Sequence, residues 1–164
     1  MNADPAITDF LARKRIAMVG VSRDSREFSR GLFRELQRRG YDVVPVNRQG
    51  GTVEGVACAR TVQDIVPPVE GALLMTPPAA TEQAVKDCAE AGVRRVWMHR
   101  GIGPGAVSAA ATAFCLEHGM SVVAGACPYM FLPGASVVHR LHGWLRGDSA
   151  LRPRPGKPAD PARG

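Results

Sequence analysis

One local pattern occurs three times along this chain: a stretch of helical periodicity, a glycine, an apolar residue, then a valine-rich run. The instances are Arg39-Gly40-Tyr41 before Val43 and Val44, Ala91-Gly92-Val93 before Val96, and His118-Gly119-Met120 before Val122 and Val123. Glycine just past a helix end adopts the left-handed conformation without steric cost, so each instance reads as helix stop and strand start. The apolar runs at 15–21, 42–46, 71–75, 94–98 and 120–124 are continuous rather than alternating. That suits strands covered on both faces, as in a parallel sheet. Right-handed crossovers then wind the intervening helices around it.

The helices carry the stripes this arrangement needs. Ser29, Leu32, Phe33 and Leu36 share a face, as do Thr81, Ala84, Val85 and Cys88, and then Val107, Ala110, Ala111 and Phe114. An N-terminal helix is expected over about 6–13, a short extended segment at 52–56, a brief helix near 61–65 and a helix over 136–146. The expected fold class is α/β: a single-domain, Rossmann-like three-layer sandwich on a mostly parallel five-stranded sheet. That domain takes in 1–147. From Asp148 to Gly164, proline, arginine, glycine and alanine dominate without periodicity, which predicts a disordered basic tail.

At 164 residues the chain is long enough for one substantial core. Its net charge of +6 favours anionic partners, and the segment from Asp148 onward supplies only +2 of that. The rest belongs to the fold, with Arg23, Arg26, Arg30, Arg48 and Arg100 all read as turn residues. A phosphate site is one reading of them and solvated surface charge is the other. Cys58, Cys88, Cys115 and Cys127 show no C-x-x-C spacing, no signal-like apolar run precedes them, and no stretch approaches a membrane span. The expectation is a cytoplasmic protein with no membrane partner. No aromatic interleaving accompanies the basic tail, so nucleic acid is not expected as a partner either.

The segment from Arg15 to Arg48 carries the functional argument. A strand ending in Val19-Gly20-Val21 enters a small, polar, basic turn, then a helix, then a strand ending in Pro45-Val46-Asn47-Arg48. Such a turn offers backbone N–H groups and a helix N-terminus to a phosphate. A dinucleotide site for NAD places a carboxylate after the second strand to bind the ribose hydroxyls. Here that place holds Asn47 and Arg48, a cation, which favours a ligand with an extra phosphate near its ribose. Gly20 is followed by no second glycine until Gly31, so the dinucleotide fingerprint is absent and an ordinary strand-to-helix turn remains open.

In an open parallel sheet the ligand lies beyond the carboxyl ends of the strands. Four such ends can be read off: Gly20 to Arg26, Asn47-Arg48, Thr76-Pro77-Pro78 and His99-Arg100-Gly101. They supply backbone donors, small hydroxyls and cations suited to a diphosphate, and no obvious catalytic set. The prolines after the third strand offer a rigid apolar wall, or merely end the strand and start a helix. A rival constellation is Cys127 with His139 and His142, whose spacing puts two imidazoles near one helix face and points to a metal- or redox-responsive site. Its plainer alternative is a C-terminal helix covering the core through Leu141, Trp144 and Leu145. Cys88 and Cys115 read as small core residues.

With these strand ends in view, the chain resembles the CoA-binding protein family, a stand-alone version of the N-terminal domain of the succinyl-CoA synthetase alpha subunit. The matching pieces are Ile16 to Ser22 with its basic turn, Gly40 to Asn47, Gly55, Arg95-Val96-Trp97, Gly101-Ile102 and Gly119 to Val123. They span roughly 6–125, and the Gly-Tyr-x-Val-x-Pro-Val-Asn string is the most specific. The resemblance implies that Gly20, Ser22 and Arg26 line the phosphate turn, where Arg23 is a further candidate from the strand end, and that Asn47 and Arg48 approach the adenosine end. It places Thr76 and Pro77 beside the ligand and Gly101 at the fourth strand, where His99 and Arg100 are the candidates read from the strand end itself. Two departures touch the acyl end of the site: Thr76-Pro77-Pro78 stands where small family members carry a Phe-Arg pair, and His99 replaces a more usual glutamine.

The expected function is non-catalytic binding of coenzyme A or an acyl-CoA, as a sensor, carrier or regulator. The ligase phosphohistidine belongs to a second domain for which this length leaves no room. An NADP-dependent reductase is the alternative from another class, since Arg48 suits a 2′-phosphate equally. The partner is a small molecule, with a homodimer left open.

Overall fold

The structure is a computed structural model that describes residues 4–101 and 103–134. The chain runs α1 (Pro5–Leu11), β1 (Arg15–Val19), α2 (Phe28–Arg38), β2 (Asp42–Val46), β3 (Thr52–Val53), β4 (Val56–Ala57), β5 (Gly71–Leu74), α3 (Pro78–Glu90), β6 (Arg95–His99), α4 (Ala109–Glu117) and β7 (Ser121–Ala126). Single 3-10 turns occupy Val62–Asp64 and Pro128–Met130. The main sheet has the order β2-β1-β5-β6-β7, parallel throughout, and β3 and β4 form a separate two-stranded hairpin.

Each central strand sends alternate side chains to opposite faces, and both faces are buried. Ala17, Ala72, Leu74, Val96 and Met98 pack under α3 and α4 with Val85, Cys88 and Cys115. Ile16, Met18, Leu73 and Trp97 pack under α1 and α2 with Phe10, Leu32, Phe33 and Leu36. The three-layer α/β architecture is therefore as expected. Pro45 is accommodated in β2 because that strand is an edge, with no ladder partner needing its missing N–H on the outer side.

The boundaries differ for identifiable reasons. The first strand stops at Val19 because Gly20 turns the chain with φ +85°. The extended segment at 52–56 is a hairpin whose tip residue Glu54 has φ +48°. The brief helix near 61–65 is one 3-10 turn closed by a reciprocal Thr61–Asp64 cap. On α4 the buried positions are Ala111 and Cys115; Val107 precedes the helix and Ala110 is exposed. Arg30, read from the sequence as a turn residue, lies on the buried face of α2. The expected helix over 136–146, with His139 and His142, and the 148–164 tail lie outside the described residues.

Ionic contacts gather where the parallel strands begin. Arg15 at the start of β1 pairs with Asp42 at the start of β2, and Arg95 at the start of β6 pairs with Asp9 of α1. Glu70 accepts the backbone N–H groups of Lys14 and Arg15. The opposite rim, where the strands end, is left to the loops.

Candidate functional site

The sheet order reverses between β1 and β5, so the crevice of a doubly wound fold opens beyond Val19 and Leu74. Gly20 sits in it. A Cβ there would stand 3.1 Å from the carbonyl carbon and oxygen of Met75 and 3.2 Å from Thr76 Cγ2, so only glycine lets the two strand ends approach this closely. Its N–H donates across the other side to the Val46 carbonyl. Gly20 thereby joins the ends of β2, β1 and β5.

The turn from Gly20 to Glu27 is held from within. Ser29 Oγ accepts from the Ser22 N–H at 2.9 Å, and Ser22 Oγ from the Asp24 N–H at 3.1 Å. Arg30 donates Nη1 to the carbonyls of Ser22 and Arg23 and grips Glu54 Oε1 through Nε and Nη2. Arg34 donates to the same carboxylate oxygen, and these partners hold the Glu54 carboxyl below its ordinary range. A buried guanidinium thus ties the turn's carbonyls to the hairpin tip. Sequence reasoning missed this bracket. Its signal was a charge at position 30 inside the run 29, 30, 32, 33 and 36, the buried face of an amphipathic helix.

The predicted residues fall as follows. Arg23 reaches from the turn to the loop after β2, with Nη2 3.1 Å from the Gly50 carbonyl. Arg26 is exposed and bound through Nε and Nη2 to Asp24, whose carboxyl it holds low, so its charge is largely compensated inside the turn. Asn47 shapes the loop after β2: its Oδ1 accepts from the Gln49 N–H and its carbonyl from the Gly50 N–H. Arg48 is exposed on that loop, and its carbonyl accepts from Arg60 Nη1. Arg60, which the sequence reading did not single out, adds a cation beside Gly50.

Thr76 Oγ1 lies 2.7 Å from Thr81 Oγ1. Pro77 is the cap of α3 and Pro78 its first residue, so these prolines start a helix directly after β5. At the end of β6, His99 is buried and its Nε2 has no hydrogen-bond partner among the described residues. Burial pushes its pKa down to about 4, so the ring is neutral near pH 7. Phe28 lies over it with centroids 5.2 Å apart, and Tyr129 meets Phe28 edge-on at 5.7 Å. Gly101 borders the imidazole, and Arg100 turns its Nε to the Gly103 carbonyl at 3.2 Å.

The structure thus brings Gly20, Ser22, Arg23, Asn47 and Thr76 to one rim and sets His99 and Gly101 beside it through Phe28. Arg48 and Arg100 stand on separate loops after β2 and β6. The rival metal reading rests on His139 and His142, which lie outside the described residues; among the described residues no group of three or more His, Cys, Asp or Glu ligands forms. The Cys88 and Cys115 thiols are pushed up by burial to about 12 and about 11, as inert core residues. No helix among the described residues is long and apolar enough to cross a membrane.

Comparison with known proteins places this crevice in context. A family model described as a CoA binding domain matches residues 14–133. The alpha subunit of an ADP-forming acetate–CoA ligase II from Pyrococcus furiosus is 31% identical over 88 residues. That match covers 53% of this chain and 19% of the ligase subunit, so the chain spans about a fifth of the length of this curated relative. A hypothetical protein from Pyrococcus horikoshii OT3 superposes with a TM-score of 0.71 at 28% identity, covering 89% of this chain and 94% of that one. A dinucleotide-forming acetyl-coenzyme A synthetase 1 from Ca. Korarchaeum cryptofilum, solved with phosphate and ADP, shares the fold with a TM-score of 0.58 at 23% identity over 68% of this chain and 25% of its own. With a family match running from the start of the first strand past the end of the last, this chain belongs to the CoA-binding domain family.

Proposed function

We propose that the chain binds coenzyme A or an acyl-CoA in the crevice beyond β1 and β5, as a carrier, sensor or regulator rather than as a catalyst. The observation that supports this most is the pairing of a braced turn after β1 with a basic loop after β2, where residues 47–51 hold Arg48 and no carboxylate and Arg60 reaches in from beyond β4. A diphosphate would lie against the turn from Gly20 to Arg26. The ribose phosphate would meet Arg48 beside Asn47, and Thr76 and Pro77 would flank the arm that leads away toward His99, Arg100 and Gly101. The non-catalytic part of the reading rests on the donor set: hydroxyls, backbone amides and guanidinium groups bind anions, while among the described residues His99 Nε2 makes no hydrogen bond. The cytoplasm is the proposed location and a second copy of the chain an admissible partner.

Calorimetry with CoA, dephospho-CoA and NADPH tests the reading. CoA should bind most tightly, because dephospho-CoA lacks the phosphate that a guanidinium would pair with. Equal affinity for CoA and dephospho-CoA rejects the role of the basic loop, and binding of NADPH without CoA replaces the reading by a nicotinamide one.

A further inference from the structure

The buried imidazole at the end of β6 remains unexplained by phosphate recognition. His99 is 8% exposed, its Nε2 is sealed from solvent, and no group among the described residues satisfies that nitrogen. A buried polar atom without a partner costs about 1 to 3 kcal/mol, and such orphans in folded proteins call for a partner that is absent. The surroundings restrict what that partner is. Phe28 covers one face of the ring at 5.2 Å and Tyr129 packs edge-on to Phe28. On the remaining side is Gly101, where a Cβ would stand 3.3 Å from Cε1 and 3.8 Å from Nε2. Glycine at 101 brings no side chain against that nitrogen. Phe28 is itself 43% exposed, a large apolar surface beside an unmet hydrogen-bonding atom.

The position along the sheet adds direction. β6 lies three strand spacings from β2, on the order of 14 Å, across the switch point. A ligand whose phosphorylated ribose sits at Arg48 and whose diphosphate crosses the turn after β1 brings its far end to β6. For CoA that end is the thiol or its acyl thioester.

We infer that His99, Phe28 and Tyr129 form the acyl subsite, in which His99 Nε2–H donates a hydrogen bond to the thioester carbonyl while the two rings cover a short apolar acyl group, so that the chain selects acyl-CoA over free CoA. The inference rests on the CoA reading above. A neutral imidazole suits the task, since it carries one N–H without the desolvation cost of a cation, and burial keeps this one neutral. A free thiol is a weak donor and weak acceptor and would satisfy the nitrogen poorly. Access to Nε2 requires the backbone at Gly101 to yield or Phe28 to turn aside.

The experiment is calorimetric titration of the full chain with CoA, acetyl-CoA and S-ethyl-CoA, whose thioether has the two-carbon bulk of acetyl without the oxygen. Acetyl-CoA should bind about five- to tenfold more tightly than S-ethyl-CoA, the value of one buried hydrogen bond. In His99→Leu that ratio should fall to about one, and in His99→Gln, which restores an N–H donor, it should recover in part. Leu removes an unsatisfied polar group from the core, so this variant is expected to fold. If CoA binds but wild type does not distinguish acetyl-CoA from S-ethyl-CoA, or the ratio survives in His99→Leu, the acyl subsite is refuted and the CoA reading stands. If none of the three binds, both fall.

Discussion

The guanidinium groups of the site are not equivalent. Arg23 is spent on the Gly50 carbonyl, Arg26 on Asp24 and Arg30 on Glu54, whereas the exposed Arg48 pairs with no carboxylate among the described residues. Arg48→Ala should therefore leave the fold untouched and weaken CoA by about 1 to 3 kcal/mol in calorimetry, with dephospho-CoA unchanged. This distinction was half legible in the sequence. The missing acid after the second strand is a matter of residue type and position, so Asn47 and Arg48 could be singled out by reading alone. Which arginine is already occupied depends on partners such as Glu54, 24 residues beyond Arg30, and no local pattern announces that pairing. Gly20 was found for the right reason, a turn after a strand. Its close approach to Met75 arises only when β5 lies beside β1.

At the scale of the element, the turn after β1 is a loop whose shape is set by a helix and a hairpin. Arg30 crosses from α2 to the Ser22 and Arg23 carbonyls and on to Glu54, so the turn, the helix and the hairpin move as a unit. Arg30→Ala leaves Glu54 facing only Arg34 and should lower stability by about 2 to 3 kcal/mol in urea unfolding. Lys at 30 should not rescue it, because one ammonium cannot reproduce the fork that reaches both partners. The helices and strands themselves were legible because their periods and terminal glycines are local. Short pieces were less so: two-residue strands and single 3-10 turns carry too few residues for a period. The α4 stripe was misplaced by one position because almost every residue of Ala109–Phe114 is small or apolar. A pattern without contrast has no phase.

For the whole molecule, acid should lower stability through two overlapping titrations. His99 titrates at about 4 when folded against an ordinary 6.5, so between those values the unfolded chain binds a proton that the native state refuses. Stability is then fully present above pH 6.5 and falls by roughly 3 kcal/mol by pH 4. Glu35, held down to about 2 by Arg38 and Arg39, adds a second loss from its ordinary 4.5 toward 2. Urea midpoints measured from pH 7 to pH 4 should fall in wild type and stay flatter in His99→Gln. A flat wild-type curve would mean that the imidazole is solvated. The α/β class was readable at this scale because continuous apolar runs imply two covered faces. The strand order was not, since no residue states which neighbour a strand will choose.

The ion pairs at the strand starts, Arg15 with Asp42 and Arg95 with Asp9, clamp the sheet at the end remote from the crevice. Anchorage and recognition are consequently housed at opposite poles. Drift in the loops after β2 and β6 can accumulate without loosening the cross-links that keep the layers together, so a lineage built on this frame is free to vary its rim before it risks its scaffold.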